Sequence, residues 1–195
     1  LEPVLSSYKD EDGYPLGLGC QLVLYTGITL SEAAVLRLRD VYFQEKILNI
    51  RYFMAMKRTR PEDERVYDLE KLTGRKNRQV PVPDFMMQTL EKLQKSYQGN
   101  PEDFVLGNQA QEPVRVDRMR AALQRRSHMC GMDTVTPRML RDTYAMRAVQ
   151  AGATSDLIAE LMGFASSQQV IRRYMPANKM NERELLDRMF GNRTS

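Results

Sequence analysis

The chain is poor in the side chains from which many catalytic and metal sites are built. Its 195 residues include one histidine, His128, two cysteines, Cys20 and Cys130, and no tryptophan. One histidine and two widely separated cysteines cannot assemble a standard zinc site, so neither metal nor cofactor is expected. Two thiols without a partner pattern suit a reducing compartment, and a cytoplasmic location is the corresponding expectation. No run of about 18 apolar residues occurs, which leaves no candidate for a membrane-spanning helix and makes a membrane partner unexpected. No signal peptide, internal repeat or low-complexity tract is visible. The chain opens on Leu1 rather than methionine, so a piece cut from a longer protein is expected.

The residues that are abundant fit a folded domain. Hydrophobic side chains make up 42% of the chain and charged ones 28%, enough to bury a core and keep a polar surface. The length suits one domain, spanning 1–195. Lys and Arg total 29 against 25 acidic residues, a net charge of +4, which permits nucleic-acid binding without demanding it.

Along the chain, a helix or entry segment is expected up to about Asp10, then a polar loop through Gly13. Leu16 to Tyr25 is densely apolar without alternation, as in a buried helix. Ser31 and Glu32 open a short helix to Arg39. Val41–Phe43 and Ile47–Met56, rich in β-branched and aromatic residues around polar Gln44–Lys46, signal a hairpin. Lys57 to Lys71 reads as a charged loop or an extended ribbon. Gly74–Arg78 is a basic turn into a third strand, Gln79–Val82, whose prolines suit a sheet edge. A helix capped by Asp84 runs to about Tyr97, Asp103–Leu106 is a small extended piece, and Val116–Cys130 is helical. Thr136 caps a helix that has Pro137 at its first position and ends near Ala151. Helices Ser155–Met162 and Ser167–Tyr174 follow. A terminal helix opens at Asn181, carries Leu185, Leu186, Met189 and Phe190, and closes at Gly191. The pattern is α+β: mostly helical, with a small three-stranded antiparallel sheet.

Three stretches carry the chemistry. Thr136-Pro-Arg-Met-Leu-Arg141-Asp-Thr-Tyr-Ala precedes Leu161-Met-Gly-Phe-Ala-Ser-Ser, and Tyr174 comes shortly after. Phe164 follows Arg141 by 23 positions and Tyr174 follows Phe164 by 10. This order resembles the catalytic domain of the tyrosine recombinases, the phage-integrase family, which read close to T-P-H-x-L-R-H-T-F-A, then L-L-G-H-S-S, then a tyrosine. The likeness covers about positions 15–190. It implies the DNA breaking-rejoining fold and a tyrosine that attacks a phosphodiester. It also implies arginines that clamp the phosphate and a hairpin lysine that protonates the leaving 5′ hydroxyl. The family's N-terminal core-binding domain is expected to be absent from this chain.

Carried over residue by residue, the resemblance puts the nucleophile on Tyr174 and one clamping arginine on Arg141. The hairpin lysine falls on Lys71 or Lys76. Three of the catalytic positions depart from the pattern. Thr29, in Thr26-Gly-Ile-Thr-Leu-Ser-Glu32, stands where the family's T-G-L-R-x-S-E has its first arginine. Arg138 replaces the histidine of T-P-H, and Phe164 the histidine or tryptophan of L-x-G-H-S-S. Arginine is not a base at neutral pH, and phenylalanine has no N–H to donate. His128 lies outside all these positions. Arg75, Arg78, Arg115, Arg118, Arg172 and Arg173 are candidate DNA-backbone contacts, with Arg120, Arg125 and Arg126 in the same basic stretch as Arg115. For each, a solvated surface charge is the plainer alternative.

The resemblance therefore implies double-stranded DNA as partner and a homo-oligomer on DNA, linked through the C-terminal helix. The leading reading is a recombination or integration protein of a mobile element with an impaired site. One alternative is a working recombinase in which Arg138 supplies the missing charge. Another is a scaffold that no longer binds DNA.

Overall fold

A helix that is apolar on every side sits at the centre of the fold. In the computed structural model of the chain, residues 9–57, 66–96, 100–108 and 110–175 are described, with Arg75 described by its backbone alone. Helix α1 (Leu16–Thr26) buries Leu16, Leu18, Cys20, Leu22 and Val23 together, as a helix without a polar face must. It ends at Gly27, whose φ of 70° is left-handed and whose N–H returns to the Val23 carbonyl. A Cβ at Gly27 would lie 2.5 Å from the Tyr144 ring, so the glycine also lets a later helix pack against this end of α1.

Helix α2 spans only Leu30–Ala33. The sequence predicts a helix from Glu32 to Arg39, and the structure corrects both ends. The start moves back because Thr29 forms a capping box: its Oγ1 accepts the Glu32 N–H at 3.1 Å, and the Glu32 carboxylate accepts the Thr29 N–H at 2.7 Å. The end moves back because the backbone of Leu36 and Leu38 pairs instead with the 103–105 segment (Val105 N–H to Leu36 O, 2.8 Å; Leu38 N–H to Asp103 O, 2.9 Å). A 3₁₀ turn at Leu38–Asp40 then leads into the strands.

The three-stranded antiparallel sheet is present, in the order β1 (Val41–Tyr42), β2 (Ile47–Ile50), β5 (Arg78–Pro81). β5 lies at an edge, where its proline is tolerated. The expected long strand over 47–56 is two strands. It breaks at Arg51, whose side chain bonds to buried Asp40 and whose carbonyl accepts the Leu72 N–H. Beyond the break, β3 (Tyr52–Lys57) pairs with β4 (Val66–Lys71) as a separate antiparallel ribbon, so the extended-ribbon reading of that region holds for 66–71.

The helices after the sheet lie close to their expected bounds. They are α3 (Asp84–Ser96), α4 (Val116–Met129), α5 (Pro137–Gln150), α6 (Ser155–Met162) and α7 (Ser167–Tyr174). Thr136 accepts the Met139 N–H with Pro137 at the first position, and Thr154 accepts the Leu157 N–H. Most buried side chains form one core around α1, the sheet, α3 and α4. A second, smaller cluster joins α5, α6 and α7 through Ala145, Ile158, Ala159, Met162, Val170 and Tyr174. No helix among the described residues is long and apolar enough to cross a membrane. The expected segment before Lys9 and the expected helix at 181–190 lie outside the described residues.

Candidate functional site

Where the two clusters meet, a cleft of about 470 Å³ opens, lined by Thr29, Arg120, Arg138, Arg141, Phe164 and Tyr174, with Asp117, Asp142 and Arg173 at its wall. Five of the positions that sequence spacing assigns to the site, Thr29, Arg138, Arg141, Phe164 and Tyr174, therefore converge. They come from the start of α2, the first two turns of α5, the turn after α6 and the end of α7.

Arg141 is the central cation. Its Nε donates to the Gly27 carbonyl at 2.8 Å and one Nη to the Met162 carbonyl at 2.7 Å, tying α5 to the ends of α1 and α6. These bonds fix the guanidinium plane, and among the described residues Nη1 carries no hydrogen bond. Burial pulls its pKa below the usual arginine value, with the Glu32 charge opposing. Thr29 follows Gly27 by two residues, which places it within about 7 Å of the carbonyl that Arg141 holds. Its hydroxyl caps α2 and lies 3.0 Å from the Ser31 hydroxyl. Phe164 packs its ring under Arg141, 5.6 Å from the guanidinium carbon, and 6.3 Å from the Tyr174 ring.

Tyr174 is 5% exposed, with its ring in the smaller core and its hydroxyl donating to Asp142 Oδ1 at 2.6 Å. Burial, this hydrogen bond and the Asp142 charge push the Tyr174 hydroxyl up to about 12. Burial would raise the Asp142 carboxyl as well. The bonds from Tyr174 and Arg173 outweigh it and hold Asp142 below the ordinary carboxylate range. Arg138 is exposed, its Nε 3.9 Å from Asp142 Oδ2.

The remaining candidates separate. Lys76 is exposed and lines a small cavity beside the cleft together with Thr29, Arg141 and Phe164. Lys71 is exposed at the end of β4 and lines neither space. Arg172 is exposed on α7 beside a shallow depression shared with Phe164 and Arg173. Arg115 pairs with Asp117 at 3.0 Å and stacks over Tyr67, while Arg118 is held by Asp10 and Asp12. The side chain of Arg75 lies outside what is described. Arg78 points inward rather than toward a ligand. Its side chain is 3% exposed and it bonds to Glu32 (2.8 and 3.1 Å), the Leu161 carbonyl (2.7 Å) and the Lys76 carbonyl (2.9 Å). A strand end rich in Arg and Lys looks solvated in sequence. Nothing there signals that the partner of Arg78 is Glu32 of the capping box. Asp117, Arg120 and Asp142 are charged cleft residues that motif spacing did not single out. The available signal for Asp142 was its place in the motif, where the family pattern has a histidine directly after the arginine, and the signal for Arg120 was the basic stretch.

Comparisons with known proteins bear on the family and the fold. A tyrosine recombinase from Pseudothermotoga lettingae is 28% identical over 162 residues, which covers 82% of this chain and 48% of that protein. The chain thus spans about half the length of that relative. Among solved structures, the Tn1549 transposon integrase in complex with transposon right end DNA superposes with a TM-score of 0.74 at 19% identity, covering 96% of this chain and 63% of that one. The XerH site-specific recombinase bound to difH substrate gives 0.68 at 17% identity, covering 98% and 52%. At such identities the likeness is one of fold. The model of the phage integrase family matches residues 6–181, nearly the whole of the sequence, and the chain belongs to that family.

Proposed function

We propose that this domain binds duplex DNA across the cleft in site-specific recombination or integration, and that it cuts DNA poorly. The observation that carries the proposal is the convergence of Thr29, Arg138, Arg141, Phe164 and Tyr174 on one cleft. In this reading a phosphodiester is seated by Arg141, Arg138 and Arg173. The Tyr174 hydroxyl gives up its proton to solvent as its oxygen attacks phosphorus, the bond to the 5′ oxygen breaks, and that oxygen takes a proton from Lys76, which shares a cavity with Thr29, Arg141 and Phe164. Thr29 offers no charge to the transition state and Phe164 no N–H. One lost preorganised donor costs about 3–4 kcal/mol of barrier, so two substituted positions slow cleavage by orders of magnitude.

A second reading, an active recombinase, is favoured by one observation. Arg138 is an exposed guanidinium in the cleft, and it can supply positive charge that Thr29 lacks. Both readings expect binding to duplex DNA that weakens linearly in log–log plots against salt, and weaker binding by Arg141→Ala. A suicide substrate carrying the ends of the parent element separates them. Abundant covalent adduct through Tyr174 in the unmodified protein refutes the impaired reading. Absence of salt-dependent DNA binding refutes both and leaves a scaffold. Assembly on DNA through residues 181–190 is proposed with the same function. Removing residues 180–195 should then reduce the mass measured by light scattering on DNA, and an unchanged mass would sink it. DNA as substrate goes with a cytoplasmic place of action.

A further inference from the structure

Asp142 gathers the groups that the proposed reaction needs around a phosphate. Its Oδ1 accepts the Tyr174 hydroxyl at 2.6 Å. Arg173 Nη2 donates to Oδ1 at 2.6 Å and to Oδ2 at 2.9 Å, and Arg138 Nε stands 3.9 Å from Oδ2. Arg141 lies one residue back on α5 and lines the same cleft, together with the charged side chains of Arg120 and Asp117. Carboxylate and phosphate make the same demand on an arginine, two acceptor oxygens in one plane, and two anions cannot share one seat.

The geometry points to Asp142 as an internal stand-in for the DNA phosphate: without DNA it fills the anion seat of the cleft, occupies Arg173 and caps the Tyr174 hydroxyl, and an entering phosphate displaces it from Arg173 before Tyr174 can act. This rests on the proposed function, with Tyr174 as nucleophile and the cleft as the DNA seat. Two further observations support it. The Tyr174 ring is packed against Val170 and its neighbours in the smaller core, so the more exposed Asp142 carboxylate, 33% accessible, is the partner able to swing away. Both carboxylate oxygens are engaged by donors that stabilise the anion, which makes Asp142 a weak proton acceptor and argues against its being the base for Tyr174.

Asp142→Asn in the full chain tests the assignment, with Asp117→Asn as a control. Asp117 lines the same cleft and carries the same charge but is held by Arg115. In the DNA-free protein, the Tyr174 ring resonance, assigned through Tyr174→Phe, should titrate below about 12 in Asp142→Asn and stay in place in Asp117→Asn. On a mixed-sequence duplex, Asp142→Asn should bind severalfold tighter than Asp117→Asn. Its log–log salt slope should steepen by roughly one phosphate contact, about 0.9, as Arg173 is released. An unmoved Tyr174 titration overturns the stand-in, as does a gain in affinity no larger than the control's. Loss of adduct with affinity retained also overturns it and would make Asp142 a required proton acceptor. If neither the parent nor any variant binds DNA, the proposed function fails, while the titration still decides whether Asp142 caps Tyr174.

Discussion

Arg78 and Glu32 form a buried ion pair beneath the cleft, with Nη1 and Nη2 at 2.8 and 3.1 Å from the two carboxylate oxygens. The pair joins β5 to the capping box of α2, and the Arg78 Nε bond to the Leu161 carbonyl adds the end of α6. The start of α2, which carries Thr29, and the end of α6, which leads to Phe164, are thereby held in register by one guanidinium from β5. Arg78→Ala leaves the Glu32 charge buried without its partner and should cost about 3–5 kcal/mol in denaturant unfolding. Arg78→Lys should recover little of this, because an ammonium cannot reproduce the planar fork. Stability within about 1 kcal/mol of the parent for the alanine variant would show the pair to be incidental.

The same pair predicts acid sensitivity. Burial alone would raise the Glu32 carboxyl, but hydrogen bonds and charge from Arg78, with the Thr29 N–H, hold it below the ordinary range. A group lowered on folding contributes stability above its unfolded pKa, about 4.3 for glutamate, and loses it as pH falls through the folded value. The stability difference between the parent and Glu32→Gln should be constant near neutrality and shrink in that acidic window. A difference that does not change with pH in that window would remove Glu32 as a source of the acid response.

Gly163 ends α6 with φ at 69°, and a Cβ there would stand 2.9 Å from Arg78 Nη1. Arg78 is fixed by its bonds to Glu32, Leu161 and Lys76, so it has little room to retreat. Gly152 has φ at 84° with nothing within 4 Å. Both alanine variants carry left-handed strain of about 1–2 kcal/mol. Gly163→Ala should lose more than Gly152→Ala, and the excess measures the Arg78 contact. Equal melting temperatures for the two would remove that contact as a constraint.

Thr29→Arg should pull in two directions. The variant loses the hydroxyl that caps α2, which costs about 1 kcal/mol and lowers the melting temperature by a few degrees. It also places a guanidinium in the cleft, so DNA binding should tighten and its salt slope should steepen by about 0.9. Combined with Arg138→His and Phe164→His, it should raise covalent adduct on a suicide substrate. If affinity and slope stay at parental values, Thr29 does not face the DNA.

Helix ends were the most legible part of the fold. Thr136-Pro137, Thr154 and Gly163 act through caps and backbone sterics within a few residues, which sequence records directly. The β-branched and aromatic richness of 41–43 and 47–56 around polar Gln44–Lys46, with the third strand at 79–82, likewise made the three-stranded sheet legible. The end of α2 was not legible, since the Leu36 and Leu38 backbone pairs with residues some 67 positions away, at 103–105. Nor was the break at Arg51, which answers to Asp40.

For the site, the chain itself determined the family pattern, because the spacing of Arg141, Phe164 and Tyr174 is written in the sequence and the helices between them keep their expected bounds, whereas Thr29 joins them only through packing. Tertiary structure alone decided the role of each charge. Arg78 and Arg118 read like Arg138 and Arg120 in sequence, yet the first two are neutralised by Glu32 and by Asp10 and Asp12, while the latter pair line the cleft. Asp142 reads as an ordinary helix carboxylate until α7 brings Tyr174 and Arg173 onto it. A formal charge is a property of the residue, whereas its partner and its hydration, which decide what it can do, exist only once distant segments have packed.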